Sequence, residues 1–445
     1  MGRRARRREG QPGCAGPVPY HDDREQREGA SMRRAGTAAL LAAMLTLVAA
    51  CGESFEAGEL GAVEVAEGEE IQIRSIGPIT GDVAFLGVPN LRGVELAVAD
   101  YGAIEGWTVS IGTPADGLCS PDGGQAAGQA IVADPQVVGV IGTACSGEAV
   151  AASPLISDAG MVMISPSNTS PALTSDMAGT AGTDYHVGYY RTAHNDLIQG
   201  RAVALFVRNE LGLDVAAAIH DGDPYTNGLA TAFKDAFEEL GGTVPVLTAV
   251  NKGDTDMSAV LTEVAAGNPQ AIFFPIFMPE GGFVVQQIGG IAGLEGVVLL
   301  SADALLVDNF MELPESEGMY LSGPDVRYGN NTNSLTGRSA SDVLAAYSQR
   351  YGEEPSAAFW AHAYDATAML LQAIANVAVV DGDTMYIDRQ ALRDDLNSLE
   401  FDGLIGSVGC DQFGDCSPGL VTLVHHTDST DIESGKSNVV FSFAP

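Results

Sequence analysis

The sequence predicts an α/β protein built from two doubly wound units with parallel sheets. Two observations favour this fold class. Short apolar runs alternate with longer helical stretches from residue 71 onward, and the runs are apolar on both faces, which is typical of strands buried inside a parallel sheet. The chain has 445 residues, a length that suits two domains better than one.

Strands and helices alternate along the whole body of the chain. In the first half, the predicted strands are 71–76, 107–112, 137–141 and 161–164, and the predicted helices are 87–103, 121–133 and 147–159. In the second half, helices are predicted over 197–211, 225–240, 257–266 and 281–292, and strands over 215–219, 244–250, 271–274 and 297–300. Helices 341–351 and 357–377 follow, without a clear strand between them, and a strand-like segment, 439–443, ends the chain.

The N-terminal region predicts export. A short basic stretch, Met32 to Arg34, precedes an apolar run, 38–50, that is too short for a comfortable membrane span. Small residues then precede Cys51, which resembles a bacterial lipobox and implies that Cys51 is lipidated. The alternative is an ordinary signal peptide with a chance cysteine. We interpret residues 1–50 as a leader and signal peptide and residues 51–70 as an acidic tether.

The charge of the chain excludes some partners. The formal net charge is −36 at pH 7, and the basic residues are concentrated near the N-terminus, so the body is strongly acidic. Such a surface repels nucleic acid and anionic lipid headgroups. We therefore expect no nucleic-acid partner, and an extracytoplasmic protein that meets the membrane through its lipid anchor.

Four cysteines remain in the body: Cys119, Cys145, Cys410 and Cys416. An even number in an exported protein indicates disulfides, and three pairings are possible. Proximity in the sequence favours Cys410 with Cys416, and Cys119 with Cys145. Metal binding by the four is less favoured, because they have no C-x-x-C spacing.

The loops that follow the strands carry the candidate site, because ligands of open α/β sheets bind beyond the carboxyl ends of strands. The loop ending at Ser146 and Gly147 opens a helix, and its N–H groups and hydroxyl suit a carboxylate. Asp303 follows another strand and could pair with an ammonium. Each such residue could instead be a helix cap. Taken together, the loops predict a pocket for a zwitterion with an apolar side.

The sequence lacks the short motifs of common catalytic sites. It contains no H-E-x-x-H, no G-x-S-x-G, no Walker loop and no G-x-G-x-x-G after a strand. We therefore predict that the protein is not an enzyme and uses no catalytic residue, metal or cofactor. An exported amidase is a distant alternative that would need a nucleophile–base pair.

Several loops, in this order along the chain, resemble those of the leucine/isoleucine/valine-binding type of periplasmic binding protein, type I, the substrate-binding component of ABC importers. The resemblance covers nearly all of residues 71–445. Its most specific stretches are 77–87, Cys119 with Cys145 and Ser146, 163–171 and 220–228, together with a closing turn at 402–406 and 411–415.

The resemblance implies two lobes joined by three hinge crossings, with the ligand between them. The lobes would be 71–195 plus 326–405, and 196–325 plus 406–445. It pairs Cys119 with Cys145. The implied ligand-binding residues are Leu86, Ser146, Ser167, Thr169, Asp196, Tyr225, Phe277 and Asp303.

The resemblance also implies partners and a mechanism. A monomer would close on a small amino acid and deliver it to ABC permease and ATPase subunits. Three departures from the family pattern also permit amide or urea-like ligands: Leu86 in place of an aromatic residue, Asp303 in place of a longer Glu, and the pair Ser167-Asn168, which is more polar than the usual small pair. A rival interpretation is a ligand-sensing subunit of a signalling receptor, with the same fold.

Overall fold

The computed structural model describes residues 55–417 and 419–445. The predicted signal peptide and the lipidation site Cys51 therefore lie outside the described residues.

Helices and strands alternate along the described chain. The first elements are β1 (Ala62–Ala66), β2 (Ile71–Gly77), α1 (Ala84–Tyr101), β3 (Val109–Ser110), β4 (Ala115–Asp116), α2 (Pro121–Val132), β5 (Val137–Gly142), α3 (Ser146–Asp158), β6 (Val162–Ser165) and β7 (Tyr189–Arg191). Next come α4 (Asp196–Leu205), β8 (Val215–His220), α5 (Pro224–Glu239), β9 (Thr243–Ala249), α6 (Ser258–Ala266), β10 (Ala271–Phe273), α7 (Glu280–Ile288), β11 (Val298–Ser301), α8 (Asp308–Met311) and β12 (Tyr320–Pro324). The last are α9 (Ala340–Tyr351), α10 (Trp360–Val377), β13 (Val379–Asp381), β14 (Thr384–Asp388), α11 (Arg389–Leu396), β15 (Glu400–Gly403), β16 (Gly406–Gly409), β17 (Val421–His425), α12 (Ile432–Ser437) and β18 (Val439–Phe443).

The first lobe is built on a parallel sheet with the strand order β3-β2-β5-β6-β7. Its central strand β5 is buried along its whole length. Val138 and Ile141 pack towards α10, whereas Val137 and Val140 pack towards α2 and α3. Burial on both faces explains why this strand is a continuous apolar run in the sequence.

The second lobe is built on a sheet with the order β18-β17-β12-β11-β10-β8-β9. The strands from β9 to β12 are parallel to their neighbours, as predicted. At the other edge, β17 pairs antiparallel with β12 and with β18. The predicted class of two α/β lobes is thus confirmed, and the second sheet carries an antiparallel edge.

The chain passes between the two sheets three times, after β7, after β12 and before β17. The third crossing lies later than the predicted boundary at residue 405. β16 pairs with β15, and Cys416 belongs to the apolar core of the first lobe. The crossing therefore follows Cys416, because the β15–β16 hairpin completes the first lobe.

The acidic tether predicted over 51–70 is wrong in its second half. Residues Ala62–Ala66 form β1, which pairs antiparallel with β14. The segment is a strand because alternate side chains are buried: Val63 and Val65 are each only 2% exposed in the core of the first lobe. The acidic residues of this segment lie on the solvent side of a small sheet.

Both expected cysteine pairs are bonded. Cys119 joins Cys145 with a Cα–Cα distance of 5.3 Å, and Cys410 joins Cys416. The first disulfide ties the loop before α2 to the residue that precedes α3.

None of the described helices combines the length and the apolar character that a membrane span requires.

Candidate functional site

A small cavity lies where the two lobes meet. Its walls come from both lobes, so a bound molecule would contact both at once. The first lobe contributes Leu86, Ala144, Cys145, Ser146, Ser167, Ala357 and Phe359. The second lobe contributes Tyr225, Phe277, Asp303 and Ala304.

The structure brings six of the eight predicted ligand residues to this cavity. They are Leu86, Ser146, Ser167, Tyr225, Phe277 and Asp303. The other two, Thr169 and Asp196, do not line it and are fully buried beside it. Ligand contact by any of the eight remains a prediction.

Asp303 is the acidic residue in the wall of the cavity. It comes directly after β11 and is 8% exposed. Its Oδ1 accepts hydrogen bonds from Gln199 Nε2 at 2.8 Å and from the Tyr225 hydroxyl at 3.2 Å. Burial raises the pKa of the Asp303 carboxyl. No Lys or Arg is among the described residues that line the cavity, so this acid lacks a cationic partner there.

Gln199 holds Asp303 in position, and the sequence analysis did not identify it. The Ser322 hydroxyl donates to the carbonyl of Ser301 and accepts from Gln199 Nε2 at 3.0 Å. This fixes the amide so that Gln199 Oε1 faces His194 Nε2 at 2.7 Å, and His194 must carry its proton on Nε2. Burial lowers the pKa of His194, which agrees with a neutral ring.

Asp196 lies behind the cavity as a second buried acid. It opens α4 and is fully buried, as is Thr169. Burial first, and the nearby Asp303 second, raise the pKa of Asp196 well above its ordinary value, whereas the Thr169 hydroxyl, which faces this carboxyl, lowers it. Two acids in one buried region favour a ligand group that is positively charged.

The N-terminus of α3 is a second polar part of the cavity wall. Ser146 begins this helix, and the first N–H groups of a helix have no partner within it. Ser146 Oγ accepts from Ser170 N at 3.3 Å, which leaves its own O–H free to donate. These donors and the helix dipole suit an anionic or neutral acceptor.

Glu148 holds the loops that precede α2 and α3 through hydrogen bonds to their backbone. Its carboxylate accepts N–H groups of Cys119 at 2.7 Å, Cys145 at 3.1 Å and Ala144 at 3.2 Å, so it joins both halves of the disulfide-linked loop. The effect of burial on the pKa of Glu148 is larger than that of these hydrogen bonds, and it raises this pKa to about 7. Nearby Asp223 also raises this pKa, while the three N–H groups lower it.

Glu148 should therefore make folding sensitive to pH. Its pKa is raised from 4.5 to about 7, so its contribution to stability is complete below pH 4.5 and is lost as the pH rises towards 7. Relative to Glu148→Gln, the free energy of unfolding of the natural protein should fall by roughly 3 kcal/mol over this range. Urea unfolding at several pH values measures both curves, and parallel curves would contradict the assignment.

The side walls of the cavity are apolar and come from both lobes. Leu86, expected in a loop, lies in the first turn of α1, because that helix begins at Ala84. Tyr225 and Phe277 pack against each other with ring centroids 5.4 Å apart. Phe359 faces them from the first lobe and was not identified from the sequence, where it lay inside the predicted helix 357–377.

A larger groove opens beside the second crossing. It includes none of the eight predicted residues. Its two cations are already paired, Arg327 with Asp325 at 2.8 Å and Lys436 with Asp308 at 2.5 Å. The smaller cavity is therefore the better candidate site.

In residues 55–417 and 419–445, no group of three or more His, Cys, Asp or Glu could hold a metal ion.

A family model described as periplasmic binding protein matches residues 70–413 of the chain. A leucine-, isoleucine-, valine-, threonine- and alanine-binding protein of Pseudomonas aeruginosa is 28% identical over 378 residues, which cover 82% of this chain and 92% of that protein.

Solved structures show the same fold. A leucine-binding protein of Thermotoga maritima has a TM-score of 0.70 and 24% identity, covering 84% of this chain and 99% of that one. A solute-binding protein of an ABC transporter from R. palustris, in complex with benzoate, has a TM-score of 0.67 and 18% identity, covering 84% and 97%. Proteins of this fold thus bind ligands with and without an amino group.

Proposed function

The chain belongs to the periplasmic binding protein family, and on this premise we propose that it binds a small amino acid of the branched-chain type between its lobes and feeds it to an ABC importer. The observation that carries the proposal is the presence of two complementary recognition groups in the wall of one cavity. Asp303 offers an acid without a cation, and the start of α3 offers N–H groups with the Ser146 hydroxyl. The ammonium and carboxylate of an α-amino acid complement these two groups.

The apolar walls support a hydrocarbon side chain on the ligand. Leu86, Phe277 and Phe359 line the same cavity as the two polar groups, together with Ala304 and Ala357. Burial of an aliphatic side chain of leucine size contributes about 1.5–3 kcal/mol. The ligands named for the Pseudomonas aeruginosa relative have this character and support the same class here.

An aromatic carboxylate such as benzoate fits these charges less well. It would occupy a buried region that contains Asp303 and Asp196 and would bring no cation to either. A buried acid without a partner is costly, so such a ligand would bind only if both carboxyls kept a proton. An amino-acid ligand avoids this cost.

Binding would proceed by closure of the lobes about the three crossings. Because the cavity walls come from both lobes, a ligand contacts more groups in the closed state and shifts the population towards it. The closed protein would then dock on permease and ATPase subunits outside the cytoplasm, as a monomer held to the membrane through a lipid on Cys51.

Thermal unfolding against a panel of amino acids, amides, urea and benzoate tests the proposal. A ligand at a hundredfold excess over its dissociation constant should stabilise the protein by roughly 2.7 kcal/mol. We expect this shift with leucine, isoleucine or valine and none with benzoate. A shift with benzoate or urea but with no amino acid would retain the family and exclude this ligand class.

A further inference from the structure

An ion pair of the second lobe stands at the edge of the cavity. Asp223 precedes α5 and accepts from Tyr225 N at 3.0 Å, and its side chain is 1% exposed. Lys252, from the loop after β9, reaches Asp223 Oδ2 at 3.1 Å. The same Lys252 ammonium lies 5.2 Å from the ring centroid of Phe277, which lines the cavity. The pair is thus continuous with the wall of the site.

The ion pair also touches the first lobe. A Cβ atom on Gly147, in the first turn of α3, would lie only 2.7 Å from Asp223 Oδ2. Glycine at this position is what allows the acid of the second lobe to approach the helix end. A second close approach occurs where Gly228 of α5 faces Pro171 and Ser170 of the first lobe, so the lobes are in contact along α5.

The part of the cavity near α3 consequently has an acid of the second lobe beside it. Asp223 faces the turn of α3 that holds Gly147. A ligand carboxylate bound at the start of α3 would lie near this acid. Lys252 is the cation that offsets Asp223, and the Tyr225 N–H also donates to this carboxylate.

We propose that Lys252, held by Asp223 against the first turn of α3, determines whether the site accepts a ligand that carries a carboxylate. The inference rests on the proposed function and adds a specificity determinant to it. Loss of the Lys252 ammonium leaves Asp223 as an uncompensated negative charge beside the ligand's acid group. Coulomb repulsion then weakens a carboxylate ligand and spares a neutral one.

The test compares leucine with leucinamide, which keeps the ammonium and replaces the carboxylate by a neutral amide. Calorimetric titration at pH 6 keeps both amines protonated, since peptide α-amino groups have a pKa of about 7.7–8.0. Lys252→Met should weaken leucine binding by about tenfold and leucinamide binding by less than about twofold.

Two further variants complete the design. Lys234→Met removes a lysine of α5 that pairs with Glu238 at the surface, and it should change neither affinity. Adding Asp223→Asn to Lys252→Met should restore leucine binding to within about threefold, because the uncompensated charge is gone. Equal losses for both ligands, or a double variant no better than Lys252→Met, would overturn the inference. Natural protein that binds neither ligand would instead refute the proposed function, and the inference with it.

Discussion

Asp303→Asn should weaken the binding of leucine, isoleucine or valine by about a hundredfold or more. The substitution keeps the size of the side chain and removes the charge that would face the ligand ammonium. Truncating one member of a buried charge pair typically costs about 2–5 kcal/mol, so the larger end of this range abolishes detectable binding. Calorimetric titration of the natural and variant proteins with the same amino acid measures the loss.

The same substitution should raise the stability of the unliganded protein or leave it unchanged. Burial raises the pKa of Asp303, which means that its charged form is disfavoured in the absence of a cation. Asp235→Asn, on the exposed surface of α5, is the matched control and should affect neither property. An Asp303→Asn protein that binds leucine within about threefold of the natural affinity would contradict the assigned role.

Arg191→Met should lower the free energy of unfolding by about 3–5 kcal/mol. Arg191 ends β7 at the first crossing and is fully buried. Its Nε pairs with Asp415, and its Nη1 donates to the carbonyls of Asn168 at 3.2 Å and Ser170 at 2.8 Å. Methionine would leave the largely buried Asp415 carboxylate without its cation and remove a hydrogen bond from each of two carbonyls beneath the loop that carries Thr169.

The control for this prediction is Arg201→Met. Arg201 pairs with Glu239 at 2.8 Å, but both side chains are largely exposed, at 43% and 68%. Exposed pairs contribute about 0–1 kcal/mol. Urea unfolding of both variants compares them directly. Similar losses for Arg191→Met and Arg201→Met would show that the buried network does not hold the crossings together.

The alternating elements could be predicted from sequence because each carries its own signal. The strand predicted over 215–219 is observed as β8, and the helix predicted over 225–240 as α5. The strand is apolar along its length, and Asp223 and Pro224 are the residues that open a helix. Such local signals define an element whatever its tertiary neighbours are.

Features that depend on distant pairing were not predictable in the same way. The strand β1 gains its partner from β14, more than three hundred residues later in the chain, and its acidic composition resembled a tether. Asp303 was identified as an acid after a strand, but the Gln199 amide that orients it is 104 residues away. Phe359 gave no signal, because an aromatic residue at the start of a helix is more often part of a core.

The central claim is that the cavity recognises an ammonium group through Asp303, and a matched ligand pair tests it most directly. Leucine and 4-methylpentanoate share the same side chain and carboxylate and differ in the amino group alone. Calorimetric titration into the purified protein should show binding of leucine and binding at least about a hundredfold weaker, or none, for 4-methylpentanoate. Equal affinity for the two, or binding of 4-methylpentanoate alone, would contradict the account.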